Sequence, residues 1–397
     1  MMRSMYAAIS GLRNHQLRMD VIGNNIANVN TVGYKASRVT FRELFSQTLR
    51  GASAPTNQRG GTNPLQVGLG TALAGIDVIH QPGNAQSTGV PTDMAIEGDG
   101  FFVLQDPRGG YVYSRAGDFR LDAQGYLVNA DGLQVLGWQA AQNGTLPPPD
   151  PTNLDAIQIP VDLMMPAQAS TQITWSANLD ASAAANTTVT RAIDVYDSLG
   201  NKYTLTFTFT KRGSNQWDWS VTAPSGFSGS GTLTFNSTGG LQTGGSANVT
   251  GPVNLTLDFN RVTQYAGEST IEGLADGYAA GELMGFTVDA SGTITGTFSN
   301  GRTQPIAQVA LAVFANPGGL LRDGSLYRVS NNSGAPQIGV AGTGGRGTVA
   351  PGSLEMSNVD LAREFVDMIV TQRGFQANTR VITTSDEMLQ ELVNLKR

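Results

Sequence analysis

The sequence has no cysteine among its 397 residues, and this absence excludes several kinds of site. Without thiols the chain can form no disulfide bond, thiolate nucleophile or cysteine-ligated metal centre. His15 and His80 are the only histidines, so a zinc site would need carboxylates to supply its other ligands. We therefore predict no metal site and expect both histidines to be surface or interface residues.

Charge is also scarce. Asp, Glu, Lys and Arg together make up 14% of the chain, and the net charge is −6. A typical soluble domain has about 25% charged residues. A basic surface for nucleic acid is not indicated. Low charge combined with 49 glycines favours extended β-domains that pack against other protein over a freely soluble helical enzyme.

Long hydrophobic runs are missing as well. No apolar stretch approaches the roughly 20 residues that a membrane-spanning helix needs, so we predict no membrane insertion. Near the N-terminus, Arg3, Arg13 and Arg18 interrupt the sequence, and no continuous apolar core of a cleavable signal peptide is present. The chain is therefore expected either to stay in the cytosol or to be exported by a route that leaves its N-terminus intact.

The most informative features that are present are two amphipathic patterns, in residues 1–30 and 358–397. In each, apolar residues recur every seven positions, with others at spacings of three or four, which is typical of helices that pair along a seam. We predict that the two segments form a terminal helical domain with a coiled-coil-like core. Its candidate seam residues are Ala8, Leu12, Met19, Ile22, Ile26, Val29, Leu361, Phe365, Met368, Phe375, Ile382, Leu389 and Val393.

The second segment should form an unusually long helix. Pro351-Gly352 breaks the chain before it, and Ser357, three residues before Asp360, resembles a capping box. At 1.5 Å per residue the helix would reach about 55 Å, whereas the average helix has about 11–12 residues. A helix of this length at a chain end needs a partner along its whole length. The apolar rows are compatible with an ordinary core, but we predict that many of their contacts join copies of the chain, as a polymerisation interface.

Between the ends the sequence is typical of β-structure. Residues 203–210 alternate strictly between large apolar residues and threonine, which predicts a strand with one buried and one solvated face. In residues 72–138 turn signals recur about every eight residues, as in antiparallel sheets. The predicted fold is mainly β with long terminal α-helices, in which two β-rich domains, one inserted in the other, accompany the helical core.

Turn signals and prolines also predict where the domains divide. The proline-rich segment 146–151 is a stiff linker and marks the first boundary. We predict an extended linker or loop at 31–71, a discontinuous β-domain at 72–147 and 285–357, and an inserted outer β-domain at 148–284.

No motif indicates a catalytic or cofactor site. Residues 342–347 match GxGxxG, but dinucleotide binding needs a helix directly after this motif, and Pro351-Gly352 follows instead. Carboxylates such as Asp99 and Asp118 stand beside glycines, where Asp is ordinary turn chemistry, and nothing selects a pair for glycoside hydrolysis. We predict that the chain is not an enzyme and uses no cofactor.

One long motif resembles a known family. Residues 20–35 closely resemble the N-terminal signature of the bacterial flagellar rod and hook proteins, which are axial proteins of the flagellum. The signature residues are Gly23, Asn24, Asn25, Ile26, Ala27, Asn28, Asn30, Thr31, Gly33, Tyr34 and Lys35. Further segments similar to the family are 93–102, 113–119, 354–361 and 372–378, and those similar to its hook-type members are 276–283 and 298–301.

The resemblance implies a structural subunit that self-assembles into a helical tube. The terminal helices would line the channel, the discontinuous β-domain would form the middle layer, and the inserted domain the outside. For a hook-type member, the tube is curved and acts as a universal joint that transmits motor torque to the filament. The implied partners are further copies of the chain, the distal rod protein, the hook cap, the hook–filament junction proteins and the flagellar type III export apparatus, and the implied location is the flagellum, outside the cell after export.

Two other functions remain open on the sequence. A distal rod subunit, which forms a stiff drive shaft, belongs to the same family, and the loop around residues 46–66 of this chain is longer than in some hook proteins and resembles the extra segment of the distal rod. A secreted β-rich adhesin or carbohydrate-active protein would require a signal peptide and catalytic groups, neither of which is visible.

Overall fold

Two helices at the ends of the chain and β-strands between them make up the structure, as the predicted fold class requires. The structure is a computed structural model and describes residues 2–55, 59–160, 162–223 and 226–394. Helix α1 spans Met2–Ala27 and helix α2 spans Leu361–Asn394, with one short 3-10 turn at Pro317–Gly319. Residue 1 and residues 395–397 of the predicted helical segments lie outside the described residues.

Both helices are shorter than predicted at one end. The side-chain oxygen Oδ1 of Asp360 accepts hydrogen bonds from the backbone amides of Ala362 (2.9 Å) and Arg363 (3.3 Å), so Asp360 caps α2 and the prediction of Ser357 as the cap was wrong. Helix α1 ends at Ala27 rather than residue 30, because the following asparagine-rich residues form turns.

The prediction of a linker at residues 31–71 was wrong, because most of this segment and the residues after it form a long β-ribbon. Its inner part pairs β1 with β4, and its outer part pairs β2 with β3. The inner part forms against α1, where the hydroxyl of Ser10 accepts a hydrogen bond from the amide of Thr71 and the rings of His15 and Phe41 lie 6.3 Å apart. The strands are β1 Ser37–Glu43, β2 Ser46–Arg50, β3 Leu65–Gly68 and β4 Thr71–Val78.

The chain then enters the first β-unit. Its first pass supplies nine short strands, three of which are buried except for one terminal residue each. These strands are β5 Ala85–Ser87, β6 Met94–Glu97, β7 Phe101–Gln105, β8 Tyr111–Ser114, β9 Arg120–Leu121, β10 Leu127–Val128, β11 Leu136–Gln139, β12 Asp155–Ala156 and β13 Met164–Met165.

An inserted β-unit follows, built from two sheets. The orders are β15-β16-β17-β18-β19 and β20-β21-β14-β22. In β16 the predicted alternation holds, because Leu205, Phe207 and Phe209 are fully buried and pack near Trp175. The strands are β14 Gln172–Asn178, β15 Thr188–Tyr196, β16 Lys202–Gly213, β17 Gln216–Thr222, β18 Ser230–Phe235, β19 Leu241–Thr243, β20 Ser246–Val249, β21 Leu255–Thr263 and β22 Glu272–Ala275.

The chain returns to the first β-unit and completes its two six-stranded sheets. Their orders are β27-β28-β8-β7-β26-β29 and β12-β11-β25-β24-β23-β13, so each sheet contains strands from both sides of the insertion. The returning strands are β23 Gly281–Val288, β24 Thr293–Phe298, β25 Thr303–Val309, β26 Leu311–Val313, β27 Leu321–Asp323, β28 Leu326–Arg328, β29 Gln337–Gly339, β30 Thr348–Pro351 and β31 Ser353–Glu355.

The predicted boundary at residue 148 lies too early. Strands β12 and β13 pair with β11 and β23, and the buried residues Ile157 and Ile159 belong to the core of the first β-unit. The proline-rich segment bends back over this core, where the indole nitrogen of Trp138 donates to the carbonyl of Asp150 at 3.1 Å. The insertion therefore begins after Met165 in the structure.

Candidate assembly surface and the junction of the two ends

The terminal helices run antiparallel along one seam. Near the end of α1, the side-chain amide of Asn25 donates to the carboxylate of Glu364 at 3.2 Å. Nearer its start, Gly11 lies against Asn378, because a Cβ added to Gly11 would be 3.0 Å from that side chain. Because both pairs are 14 residues apart on their helices, this register places Met2 opposite about residue 387. The last turns of α2 therefore extend past the first described residue of α1.

One row of predicted seam residues lies in this contact. Ala8 and Ile22 of α1 are buried. The half-buried members are Leu12, Met19, Ile26, Met368, Phe375, Ile382 and Leu389. Val29, also half-buried, lies beyond the end of α1. These residues are the more shielded part of the predicted set.

The second row of the α2 seam is polar, and the sequence reasoning missed it. It consists of Glu364, Thr371, Asn378 and Ser385, which alternate with the apolar row at spacings of three and four. Thr371 and Ser385 are buried, and their hydroxyls donate to the carbonyls of the residues four positions earlier at 2.6 and 2.7 Å. Small side chains in this row let the helices approach closely, and the spacing alone is the signal that would have revealed it.

The remaining predicted residues of α2 are exposed. Phe365 is 50% exposed and Val393 is 70% exposed, and Leu361 is exposed as well. Six further large apolar residues of α2 share this exposure, namely Val366, Ile369, Val370, Val381, Met388 and Leu392. An uncovered apolar surface of this extent on a monomer is typical of a protein–protein contact.

The outer part of the β-ribbon is exposed in the same way. Every residue of β2 and β3 is exposed, and Phe45 beside them is 73% exposed. An isolated two-stranded hairpin is marginally stable in water. The outer part of the ribbon is therefore a second exposed apolar surface among the described residues.

The signature residues shape the turn that leads from α1 into the ribbon. Asn25 is buried, and its Oδ1 accepts hydrogen bonds from the Tyr34 hydroxyl (3.1 Å) and the Ser37 amide (3.0 Å). Gly33 has φ +68°, and a Cβ there would lie 2.6 Å from the backbone nitrogen of Ala116, so only glycine fits.

The other signature residues are less constrained. The side-chain amide of Asn28 donates to the backbone carbonyl of Asn24 at 2.9 Å and also to the side-chain oxygen of Asn24. These hydrogen bonds stabilise the last turn of α1. The exposed members are Gly23, Asn24, Ala27, Asn30 and Thr31.

The last signature residue, Lys35, belongs to a buried charge cluster. Its Nζ lies 2.6 Å from the carboxylate of Glu355, and Arg115 Nη1 lies 3.4 Å from the second oxygen of the same carboxylate. All three side chains are almost completely buried. Burial lowers the pKa of Lys35 and of Arg115, and the Glu355 carboxylate opposes that shift in both.

His80 lies beside this cluster and is half-buried. Its ring packs against Phe101 (5.7 Å between centroids) and Tyr327 (5.6 Å). Burial, together with the positive charges of Lys35 and Arg115, lowers the pKa of His80 to about 4. His80 is therefore neutral in the folded protein at neutral pH.

Nothing at this junction has the arrangement of a catalytic or metal centre. Among the described residues, no group of three or more His, Asp or Glu side chains could hold a metal ion. No helix in the described part of the chain is both long enough and apolar enough to cross a membrane. The main features of the described residues are the exposed apolar surfaces of α2 and of the β2–β3 ribbon and the buried charge cluster around Glu355.

Comparisons with known proteins decide the family. Four family models match, and their descriptions name flagellar proteins. They are the flagella basal body rod protein at residues 5–35, the flagellar hook protein FlgE/F/G D1 domain at 95–177, the flagellar basal body protein FlaE D2 domain at 153–278 and the flagellar basal body rod FlgEFG protein C-terminal at 350–395. The flagellar hook protein FlgE of Borreliella burgdorferi is 41% identical over 443 aligned positions that cover 100% of both chains. The chain belongs to the flagellar hook protein family.

Other members of the hook family and one rod protein show similar agreement. The flagellar hook protein FlgE of Escherichia coli strain K12 is 36% identical, and the match covers 98% of this chain and 99% of that one. The flagellar basal-body rod protein FlgG of Bacillus subtilis is also 36% identical, over 100% of both chains. The crystal structure of Helicobacter pylori flagellar hook protein FlgE2 matches 70% of this chain and 100% of its own with a TM-score of 0.54. At 16% identity, this last match supports the fold alone.

Membership of the hook family places the chain in the flagellar hook of the basal body and makes it a structural protein. A hook subunit is favoured over a distal rod subunit, because the hook proteins of Borreliella burgdorferi and Treponema pallidum are 41% and 40% identical over the full chain, whereas the rod protein is 36% identical. The adhesin and carbohydrate-active alternatives find no support in these matches.

Proposed function

We propose that this chain is the subunit that polymerises into the curved tube of the flagellar hook, which transmits motor torque to the filament as a universal joint. The observation that carries the proposal is the uncovered apolar surface of α2, since a helix of 34 residues with nine exposed large apolar side chains is incomplete in a single chain. Copies of the same chain supply the matching surface, as subunits in a helical assembly do through head-to-tail contacts.

The proposed interface has two parts. Exposed members of the predicted set, such as Phe365 and Val393, make contacts between copies, together with the exposed β2–β3 ribbon. The seam residues, such as Ala8 and Phe375, hold the helix pair that presents this surface. Bending then requires copies to shift along one another, which packed interfaces do in small discrete steps.

The proposed partners follow from membership of the hook family. They are the distal rod protein below the tube, the hook cap and hook–filament junction proteins above it, and the type III export apparatus that delivers the subunit.

A distal rod subunit is the second candidate, because a rod protein aligns over the whole chain and because the ribbon around residues 46–66 is long. Electron microscopy of tubes assembled from the purified protein distinguishes the two. Curved hollow tubes are expected for a hook subunit, whereas uniformly straight tubes would support the rod. A protein that stays monomeric at high concentration and in precipitating salt would count against both.

A further inference from the structure

We propose that Glu355 is a shared anchor that makes the two terminal segments of the chain dock onto the first β-unit only together. The segment after α1, residues 33–37, and the segment before α2, residues 353–358, would then become ordered together. This inference concerns the single chain and does not depend on the tube.

The carboxylate of Glu355 connects three separate parts of the molecule. Its Oε1 accepts hydrogen bonds from Lys35 Nζ at 2.6 Å and from the backbone amide of Gly83 at 2.8 Å. Its Oε2 accepts from Arg115 Nη1 at 3.4 Å. The carbonyl of Glu355 also accepts from the amide of Gly33 at 2.8 Å. Glu355, which ends β31, thus links the segment before α2 to the segment after α1, the loop after β4 and the segment after β8.

A second residue repeats the same connection three positions later. Asn358 Oδ1 accepts from the amide of Ala36 at 2.8 Å, and its Nδ2 donates to the carbonyls of Ile79 (2.9 Å) and Gln81 (3.0 Å). Lys35 Nζ donates to the same carbonyl of Gln81 at 2.8 Å. The two terminal segments and the loop after β4 therefore share a single hydrogen-bond network.

Charge makes the network interdependent. Lys35 and Arg115 are both buried cations, and Glu355 is the anion that contacts both. If the N-terminal segment docked alone, Lys35 would be buried beside a like charge with no carboxylate in contact. If the C-terminal segment docked alone, the carboxylate would keep the amide of Gly83 but, of its two cations, only Arg115 at the longer distance of 3.4 Å. Burying an ion without its partner is strongly unfavourable, so each segment stabilises the docking of the other.

Hydrogen exchange of the full-length protein, read by mass spectrometry, tests this coupling. In Glu355→Gln, amides of both segments, residues 33–37 and 353–358, are expected to exchange roughly 100-fold faster or more, in parallel. Lys35→Met removes the charge from the other side and is expected to open residues 353–358 as well as its own segment. The matched control is Asp194→Asn, which breaks an exposed ion pair to Lys202 in the inserted unit and should leave both segments unchanged.

Folding of each variant is checked separately. Trp175, Trp217 and Trp219 all lie in the core of the inserted unit, so their fluorescence shows whether that unit is intact. The proposal is overturned if either variant accelerates exchange only in the segment that carries the substitution. It is equally overturned if residues 33–37 exchange at unprotected rates in the unmodified protein.

Discussion

The inserted β-unit and the terminal helix pair differ in how completely they bury their own apolar residues. The inserted unit closes its own core, where Trp175, Phe207 and Phe259 are fully buried. Helix α2 has the polar seam row toward α1 and leaves side chains such as Phe365 uncovered. The inserted unit therefore buries its apolar residues within one molecule, whereas under the proposed function the exposed face of α2 is covered by other copies of the chain.

Removal of residues 358–397 tests this contrast with the largest expected effect. The truncated protein should form no tubes, because it lacks the whole apolar surface of α2. The inserted unit should remain folded, since its buried core residues all lie between Ile173 and Ile271. Electron microscopy measures assembly, and tryptophan fluorescence measures folding. Tubes of unchanged appearance would contradict the proposed interface.

Two substitutions on α2 separate its two faces. Phe365→Asp lies on the exposed face and should block assembly while changing the free energy of unfolding by less than about 0.5 kcal/mol. Phe375→Asp lies in the seam, as does Met368, and buries an unpaired carboxylate, so it should destabilise the helix pair by several kcal/mol as well as block assembly. Circular dichroism reports the helices.

The control for these variants is Leu199→Asp, at an 83% exposed position in the inserted unit. It introduces the same charge but should leave both assembly and stability near the values of the unmodified protein. If Phe365→Asp forms normal tubes, or if the two α2 variants cannot be distinguished by helix content, the assignment of the faces is wrong.

A change of pH should affect the first β-unit through His80. The pKa of His80 is about 4 in the folded protein, against about 6.5 in an unfolded chain. Between these values the unfolded chain binds more protons, so stability falls as the pH drops from 6.5 toward 4. After allowance for partial exposure we expect a loss of about 1–3 kcal/mol.

The inserted unit has no histidine and provides the internal comparison. Trp138 lies in the core of the first β-unit and the other three tryptophans lie in that of the inserted unit, so denaturant unfolding followed by the fluorescence of the unmodified protein and of Trp138→Phe separates the two units. His80→Phe should remove this part of the pH dependence. A pH profile that is the same with and without His80 would refute the assignment.

The smallest effect is expected at the ion pair between the helices. Arg18 and Asp367 are 2.9 Å apart and partly exposed. Asp367→Asn should therefore cost at most about 1 kcal/mol of helix-pair stability, and less at high salt. Thermal unfolding at two salt concentrations measures it. A much larger loss would mean that the helices are held by charge rather than by the seam.

Local patterns in the sequence were enough to predict the helices and several strands. The sevenfold row from Leu361 to Leu389 and the alternation around Phe207 each depend on neighbouring residues in one element, so a single stretch of sequence reveals them. The apolar pattern did not reveal the polar seam row around Thr371, because small hydroxyl residues resemble solvent-exposed ones until their partner is known.

Features that depend on distant residues were not predictable. The ribbon at β1 to β4 forms because α1 covers part of it, and its own sequence has no clear alternation. The true start of the insertion depends on pairing between β13 and β23, more than 100 residues apart along the chain. Lys35 and Glu355 are 320 residues apart, so no local pattern indicates that they form one buried cluster.

The buried charge cluster around Glu355 lies at one end of the helix pair and anchors the pair to the first β-unit there. Both helices leave the β-body at the same end, beside Asn358, and α2 continues from there for 34 residues, or about 51 Å. A rotation of only about 5° at this support would displace the far tip of α2 sideways by about 4 Å. Small rotations at the anchored end therefore become large lateral displacements at the far end.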